Sequence, residues 1–196
     1  MPRYVDHEAR RQQIVETTRK VIAQRGMHGL SFSRVAGQLG GSTTLVTHFY
    51  ATQRELLNDV ALRMTRAWER EIASLDAELD DPWARLRRLL IWLVPTTEED
   101  LVGERVRINL LADDLTGAEH REIFERYDRK MRQFLRNHVR HLVPDDKLTE
   151  FVDLLRAATN GVVLSVLEHP DEWPADRQIA LVDQLLETVV AAKDVG

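Results

Sequence analysis

Apolar residues recur three and four positions apart along almost the whole chain, which predicts helices throughout and no convincing strand. The first helix carries Ile14, Val15, Thr18, Val21 and Ile22 on one face and is closed by Gly26. Ser31 is a natural N-cap for a short second helix with Val35, Ala36 and Leu39 on one face. Gly40 and Gly41 accept positive φ and allow a sharp turn, after which Ser42 caps a third helix beginning near Thr43. In that helix Leu45, Val46 and Phe49 face the interior, leaving Thr43, Thr44, Thr47 and His48 outward. Thr52-Gln-Arg-Glu55 is a capping box that starts a fourth helix without an intervening loop. Its stripe of Leu57, Val60, Ala61, Met64, Trp68, Ile72, Leu75 and Leu79 predicts a rod of roughly 40 Å. Asp81-Pro82 opens the next helix and Pro95 ends it; Thr96 to Glu99 and Thr116 to Glu119 read as further capping boxes. Pro144-Asp145 and Pro174 open the last two, for an all-α chain of about nine helices.

A short helix, a glycine turn and a second short helix with small hydrogen-bonding side chains outward is what a DNA-reading helix-turn-helix requires, because such groups donate to and accept from base edges. Over about the first sixty residues the chain resembles the TetR family of bacterial transcriptional regulators, through Gly26, the Val35-Ala36 pair, Gly40, Ser42, His48 and Glu55-Leu56-Leu57. Two positions depart from that pattern. Thr47 stands where members usually carry a phosphate-contacting tyrosine, and Gln53 where they usually carry a lysine. Phosphate contacts position a protein while base contacts specify sequence, so these departures bear on affinity more than on reading. The resemblance implies a three-helix helix-turn-helix DNA-binding domain over residues 1–52 and a helical ligand-binding and dimerisation domain over 53–196. The DNA-facing set is then Ser31, Arg34, Ser42, Thr43, Thr44, Thr47, His48, Tyr50 and Gln53. Arg3, Arg10 and Arg11 precede or lie in the first helix, where they are candidates for phosphates or a minor groove.

Charge changes this picture in one respect. Residues 1–52 hold seven Lys or Arg and three Asp or Glu, a formal +4, while the remainder holds 20 basic and 29 acidic residues, a formal −9. The net charge of −5 therefore hides a basic end that attracts phosphates and an acidic body that discourages them. With no cysteine, disulfides, thiolate catalysis and thiol redox sensing are excluded. The N-terminal residues show no secretory h-region, so no leader is expected, and the longest apolar run, Leu89 to Val94, is far too short to cross a bilayer. A cytoplasmic protein without a membrane partner is expected.

Between Phe151 and Leu167 apolar residues occur nearly all round the helix, so more than one face must be buried. Two such helices from each of two chains would make a four-helix interface, predicting a homodimer through Val163, Leu164, Leu167, Ile179, Val182, Leu186 and Val189. The competing reading is a larger intrachain core. For a small-molecule effector, largely apolar, the central helices offer Met64, Trp68, Trp92, Arg107, Asn109, Leu111, Phe124, Tyr127, Met131, Phe134 and Asn160. Singly, each aromatic or methionine is better explained by core packing; an inward Arg107 would imply an anionic or carbonyl-bearing effector.

Catalysis finds no support. None of the seven histidines has a glutamate three residues before it, as helical di-iron sites require, and no Gly-rich phosphate loop or nucleophile elbow occurs. His138 and His141 share a helix face without a neighbouring carboxylate, and the acidic residues around Asp113 and Glu122 suit a helix start. No metal or cofactor is expected. The expected function is a ligand-responsive, sequence-specific DNA-binding regulator, by resemblance a repressor released from a double-stranded operator by its effector. The alternative is a helical ligand-binding or partner-binding module of the same fold with weak or lost DNA binding, for which Thr47 and Gln53 argue.

Overall fold

The computed structural model describes residues 7–115 and 121–193, with side chains for all of these but 110, 113–115, 121, 123, 124 and 190–193. Arg3, the Thr116–Glu119 box and the side chain of Phe124 lie outside the described residues. Within them are nine α-helices and no strand: α1 His7–Arg25, α2 Phe32–Gln38, α3 Thr44–Thr47, α4 Gln53–Ala77, α5 Pro82–Trp92, α6 Glu98–Leu115, α7 Arg121–Val139, α8 Leu148–Glu168 and α9 Ala175–Lys193. Short 3₁₀ turns at Met27–Gly29 and Pro170–Glu172 follow α1 and α8.

The helix ends follow local chemistry. The Ser31 hydroxyl accepts the Arg34 amide and the Asp81 carboxylate accepts that of Ala84. At Thr52 the hydroxyl accepts the Glu55 amide at 3.1 Å, while the Glu55 carboxylate reaches back to the Ala51 amide at 2.8 Å. Helix α2 closes in a Schellman turn, with the Gly41 amide on the Ala36 carbonyl and the Gly40 amide on that of Gly37. Of the two glycines only Gly40 takes positive φ, at 70°.

Three expected starts are corrected. Position 43 caps α3 without a side-chain bond; the Ser42 backbone carbonyl, not its hydroxyl, meets the new helix by accepting the Leu45 amide. The capping box before α6 is Thr97 with Asp100, one residue later than Thr96 to Glu99: the Thr97 hydroxyl accepts the Asp100 amide and the Asp100 carboxylate accepts the Thr97 amide. Aspartate closes the box there because the shorter side chain still reaches the cap amide, at 2.9 Å. Pro144-Asp145 forms a turn whose carbonyls accept the Lys147 and Leu148 amides, and α8 begins only after it.

The chain divides into two compact units, Met1–Arg66 with Arg105–Glu125, and Ala67–Glu104 with Arg126–Gly196. The division does not fall at residue 52, because the first turns of α4 and the second half of α6 pack with the head. In the first unit Ile14, Val15, Val21 and Ile22 of α1 meet Val35, Ala36, Val46, Leu56, Leu57 and Val60, and Val106 of α6 completes the core. In the second, Leu86, Leu89 and Leu90 of α5 pack with Met131, Leu135 and Val139 of α7, Val152, Leu155 and Val162 of α8, and Val182, Leu186 and Val189 of α9. Gln178 is buried there, its amide donating to the Pro95 and Trp173 carbonyls.

Gly26 combines a positive φ with a close approach from another helix. Its φ is 68°, and a β-carbon there would lie 2.9 Å from Oδ1 of Asn109 on α6. Gly37, inside α2, has open space around it. Gly26→Ala is therefore expected to cost about 1–3 kcal/mol in a urea melt, whereas Gly37→Ala is expected to stabilise by about 0.4–1 kcal/mol.

Candidate nucleic-acid interface and effector site

A four-residue helix cannot hold its own shape in water, so α3 depends on what surrounds it. Val46 anchors it, fully buried, and Tyr50 just beyond is buried with its hydroxyl donating to Asp59 of α4 at 2.5 Å. The other Asp59 oxygen accepts Nε of Arg63 at 3.0 Å, and the same guanidinium reaches Glu8 at 2.6 Å and Gln12 at 3.1 Å on α1. One arginine thus ties α1, α4 and the end of the recognition segment together. Burial and the bond to Asp59 push the Tyr50 phenol well above its ordinary range. Tyr50 is corrected from an outward contact to a buried post that orients the helix.

The outward face survives. Ser42, Thr43, Thr44, Thr47 and His48 are all exposed along one short stretch. The Thr47 hydroxyl turns back toward the Thr44 carbonyl at 3.4 Å. His48 stands edge-on to Phe49, ring centres 5.1 Å apart, with His7 of α1 6.0 Å away. Arg11, exposed on α1, carries its guanidinium over Phe49 and Tyr50 at 6.0 and 5.7 Å, so it lies beside the recognition helix; Arg10 is half-buried. Ser31 is half-buried and serves as the α2 cap, Arg34 donates to the Gly29 carbonyl, and Gln53 to that of Leu30 at 3.5 Å. His7 is a part of this surface that helical periodicity did not single out, and Phe49, expected inside, is only half-buried and meets it at 5.6 Å, since α1 and α3 are brought together only by the fold.

The effector candidates separate by unit. Met64, Arg107, Asn109 and Leu111 belong to the first and Trp68, Trp92, Tyr127, Met131, Phe134 and Asn160 to the second. Arg107 is buried, and the Asn109 amide donates to the Arg105 carbonyl of its own helix while its oxygen lies against Gly26. Asn109 is thereby occupied in head packing. In the second unit the rings converge: Trp68 is perpendicular to Tyr127 at 5.0 Å and nearly so to Trp92 at 6.3 Å, and Trp92 to Phe134 at 6.3 Å. Met131 and Phe134 are largely core.

Beside these rings is a charge cluster that no local spacing announced. Asp128 of α7 accepts Nε of Arg132 at 2.8 Å and Nε of Arg156 of α8 at 3.1 Å, and Arg132 also pairs with Asp153. Burial alone would raise the Asp128 carboxyl, but the hydrogen bonds from Arg132 and Arg156 outweigh it and hold the group below the usual carboxylate range. Arg156 is 4% exposed and lies over Tyr127 at 5.7 Å. His138 is also committed, between the Phe134 carbonyl and Asp76 at 2.8 Å each. Among the described residues no group of three His, Cys, Asp or Glu could hold a metal ion, and no helix is long and apolar enough to cross a membrane.

The last two helices resolve their apolar residues into two faces. Val163, Val182, Leu186 and Val189 are buried within the single chain, which leaves them nothing to offer a partner. The outward face is instead Leu154, Leu164 and Leu181, at 43, 46 and 38% exposure, with Leu167 and Ile179 half-buried. An open groove of about 450 Å³ runs there between α8 and α9, lined by Ala158, Gly161, Ser165, Leu181, Leu185 and Thr188.

An all-helical chain with a short, externally braced helix presenting a polar row, followed by a separate helical unit, defines a helix-turn-helix regulator. Residues 82–191 match the family model of the BetI-type transcriptional repressor C-terminal domain. The chain is 30% identical over 203 residues to the HTH-type transcriptional regulator PksA of Bacillus subtilis, covering 96% of this chain and 94% of that one. A transcriptional regulator from Saccharomonospora viridis in complex with choline shares the fold with a TM-score of 0.81 at 21% identity, over 92% of this chain and 97% of that one. FadR from Bacillus subtilis in complex with stearoyl-CoA does so with a TM-score of 0.76 at 13% identity, over 91% and 97%. The chain belongs to the TetR family of transcriptional regulators.

Because Tyr50 braces and His48 faces out, their removal is expected to read differently. Tyr50→Phe should lower stability by about 1.5 kcal/mol, the typical loss for a hydrogen bond to a charged group, as measured by denaturant titration. His48→Ala should leave stability within about 0.5 kcal/mol and alter DNA binding in a mobility-shift assay.

Proposed function

We propose that this regulator is a homodimeric repressor that reads its operator through Thr43, Thr44 and His48 and is released by a small molecule bound in its second unit. The observation that carries this reading is the exposed row from Ser42 to His48, on a helix braced from behind by Tyr50, Asp59 and Arg63. Base-edge contacts fall to Thr43, Thr44 and His48, while Arg11 and Ser42 suit phosphates. The outward leucines of α8 and α9 supply a self-complementary apolar face, and a twofold dimer repeats the recognition helix at a spacing matching successive turns of DNA. The structural relatives that hold choline and stearoyl-CoA support a small-molecule ligand, for which the aromatic cluster of the second unit is the candidate place. Such a ligand shifts DNA affinity only by its differential affinity for two poses of the chain. Helices α4, α6 and α7 each run through both units and are the continuous elements available to couple them.

A second reading, a ligand-binding module that no longer reads DNA, is favoured by Thr47 and Gln53. Fluorescence-anisotropy titration against the DNA upstream of its own gene, with scrambled DNA as control, separates the two. Selective binding at two chains per site, weakening steeply with salt, supports the repressor; equal weak binding to both DNAs supports the module. Replacing Thr47→Tyr together with Gln53→Lys should tighten binding and steepen the salt slope by about 1, since of the two added groups only the lysine neutralises a phosphate. For the dimer, Leu164→Arg should convert a sedimenting dimer to monomer, and a wild-type chain that sediments as monomer refutes it.

A further inference from the structure

The side chains around the aromatic cluster distinguish between kinds of ligand. Arg156 is almost wholly buried, yet its Nη2 has no hydrogen-bond partner. Its Nε shares the single carboxylate of Asp128 with Arg132, so the pairing that neutralises Arg156 leaves one end of its guanidinium unused. One helical turn on, Oδ1 of Asn160 is likewise buried without a partner. Residues four apart on a helix share a face, so α8 presents two unsatisfied polar groups side by side. Buried polar groups are almost always bonded, and a guanidinium donor left without an acceptor is among the costliest exceptions. The Asn160 amide, turned by half a revolution, offers a second N–H in place of its oxygen.

Two rings of the cluster, one of them against Arg156, carry cations already. Arg156 lies over Tyr127 at 5.7 Å, and Lys130, itself paired with Glu69, lies over Phe134 at 5.5 Å. A cationic ligand would compete with these fixed charges for the ring faces and would bring like charge to Arg156. An anionic one meets neither obstacle.

We propose that Arg156 and Asn160 form the polar end of the effector site and select a carboxylate, with one carboxylate oxygen on Nη2 of Arg156, the other on the turned Asn160 amide, and the apolar body against Trp68 and Trp92. The assignment rests on the ligand-responsive reading above. It names a ligand of opposite charge to the choline held by the Saccharomonospora viridis relative. Charge-assisted, two-point recognition of this kind is the strong form of hydrogen bonding.

Octanoate, octanamide and octyltrimethylammonium, which share an alkyl chain and differ in the head group, test it on the full chain. Binding is followed by tryptophan emission and by calorimetry. Octanoate is expected to bind at least about tenfold tighter than octyltrimethylammonium, with octanamide between them. Arg156→Gln alone strands Asp128, so the informative variant is Asp128→Asn with Arg156→Gln, which keeps a neutral hydrogen-bonded pair. In that variant, shown to be folded by its thermal melt, the octanoate preference should collapse to about onefold. Asn160→Leu should weaken octanoate more than octyltrimethylammonium. Tighter binding of the ammonium, an unchanged preference in the double variant, or no binding of octanoate by either readout overturns the proposal. DNA binding measured in parallel keeps the two readings apart. Carboxylate selectivity without selective DNA binding retains this site and removes the regulator, and selective DNA binding without carboxylate selectivity does the reverse.

Discussion

The contact on which the reading head depends is the bond from Tyr50 to Asp59, with Arg63 behind it. Helix α3 has one turn of backbone hydrogen bonds, too few for a stable helix, so its shape and direction are set from outside. Val46 fixes how deeply it sits and the tyrosine fixes how it is rotated, because the residue is buried and its phenol donates to Asp59. The outer parts of the network matter less. Glu8 is exposed, and an ion pair to an exposed group is screened and entropically costly. The Asp59–Arg63 pair, one turn apart on α4 and more sheltered, holds the carboxylate in place for the phenol. The direction of the exposed row from Ser42 to His48 is in this sense a property of the α1–α4 packing.

Ligand choice is organised differently. Relatives of the same fold hold molecules as unlike as choline and stearoyl-CoA, so the helical frame does not determine the ligand and the side chains lining it do. Here the second unit combines perpendicular aromatic rings with two arginines on one aspartate. Such a cluster contributes little net stability, because desolvating its charges offsets most of their attraction. With Asp153 on Arg132 its charges balance, and what it adds to the apolar lining is fixed hydrogen-bonding groups.

What the sequence revealed follows the range of the interactions. Signals acting within one turn were legible: Ser31, Asp81 and Thr52 cap as expected, and Gly26 and Gly40 stand where positive φ is needed. The box before α6 lies one residue later than expected because Thr96 with Glu99 and Thr97 with Asp100 both have the box spacing, and only the backbone decides which forms. Periodicity identified the buried faces of α8 and α9 but not what covers them; Val182, Leu186 and Val189 prove to be intrachain core while Leu154 and Leu181 point out. Tyr50 looked like a DNA contact from its neighbours alone, since the burying partner, Asp59, lies on the next helix. The Arg156–Asp128 pair and the approach of Asn109 to Gly26 join residues far apart in sequence, and no single-chain pattern encodes such meetings.

The four tryptophans, at 68, 83, 92 and 173, all fall in the second unit, and the first has none. Their emission is therefore blind to the head, whereas circular dichroism sees helices in both. A denaturation followed by the two signals at once would resolve whether the units melt as one cooperative body or in sequence. That difference measures directly how much free energy the reading head draws from the rest of the chain, a quantity that no crystal of a complex supplies.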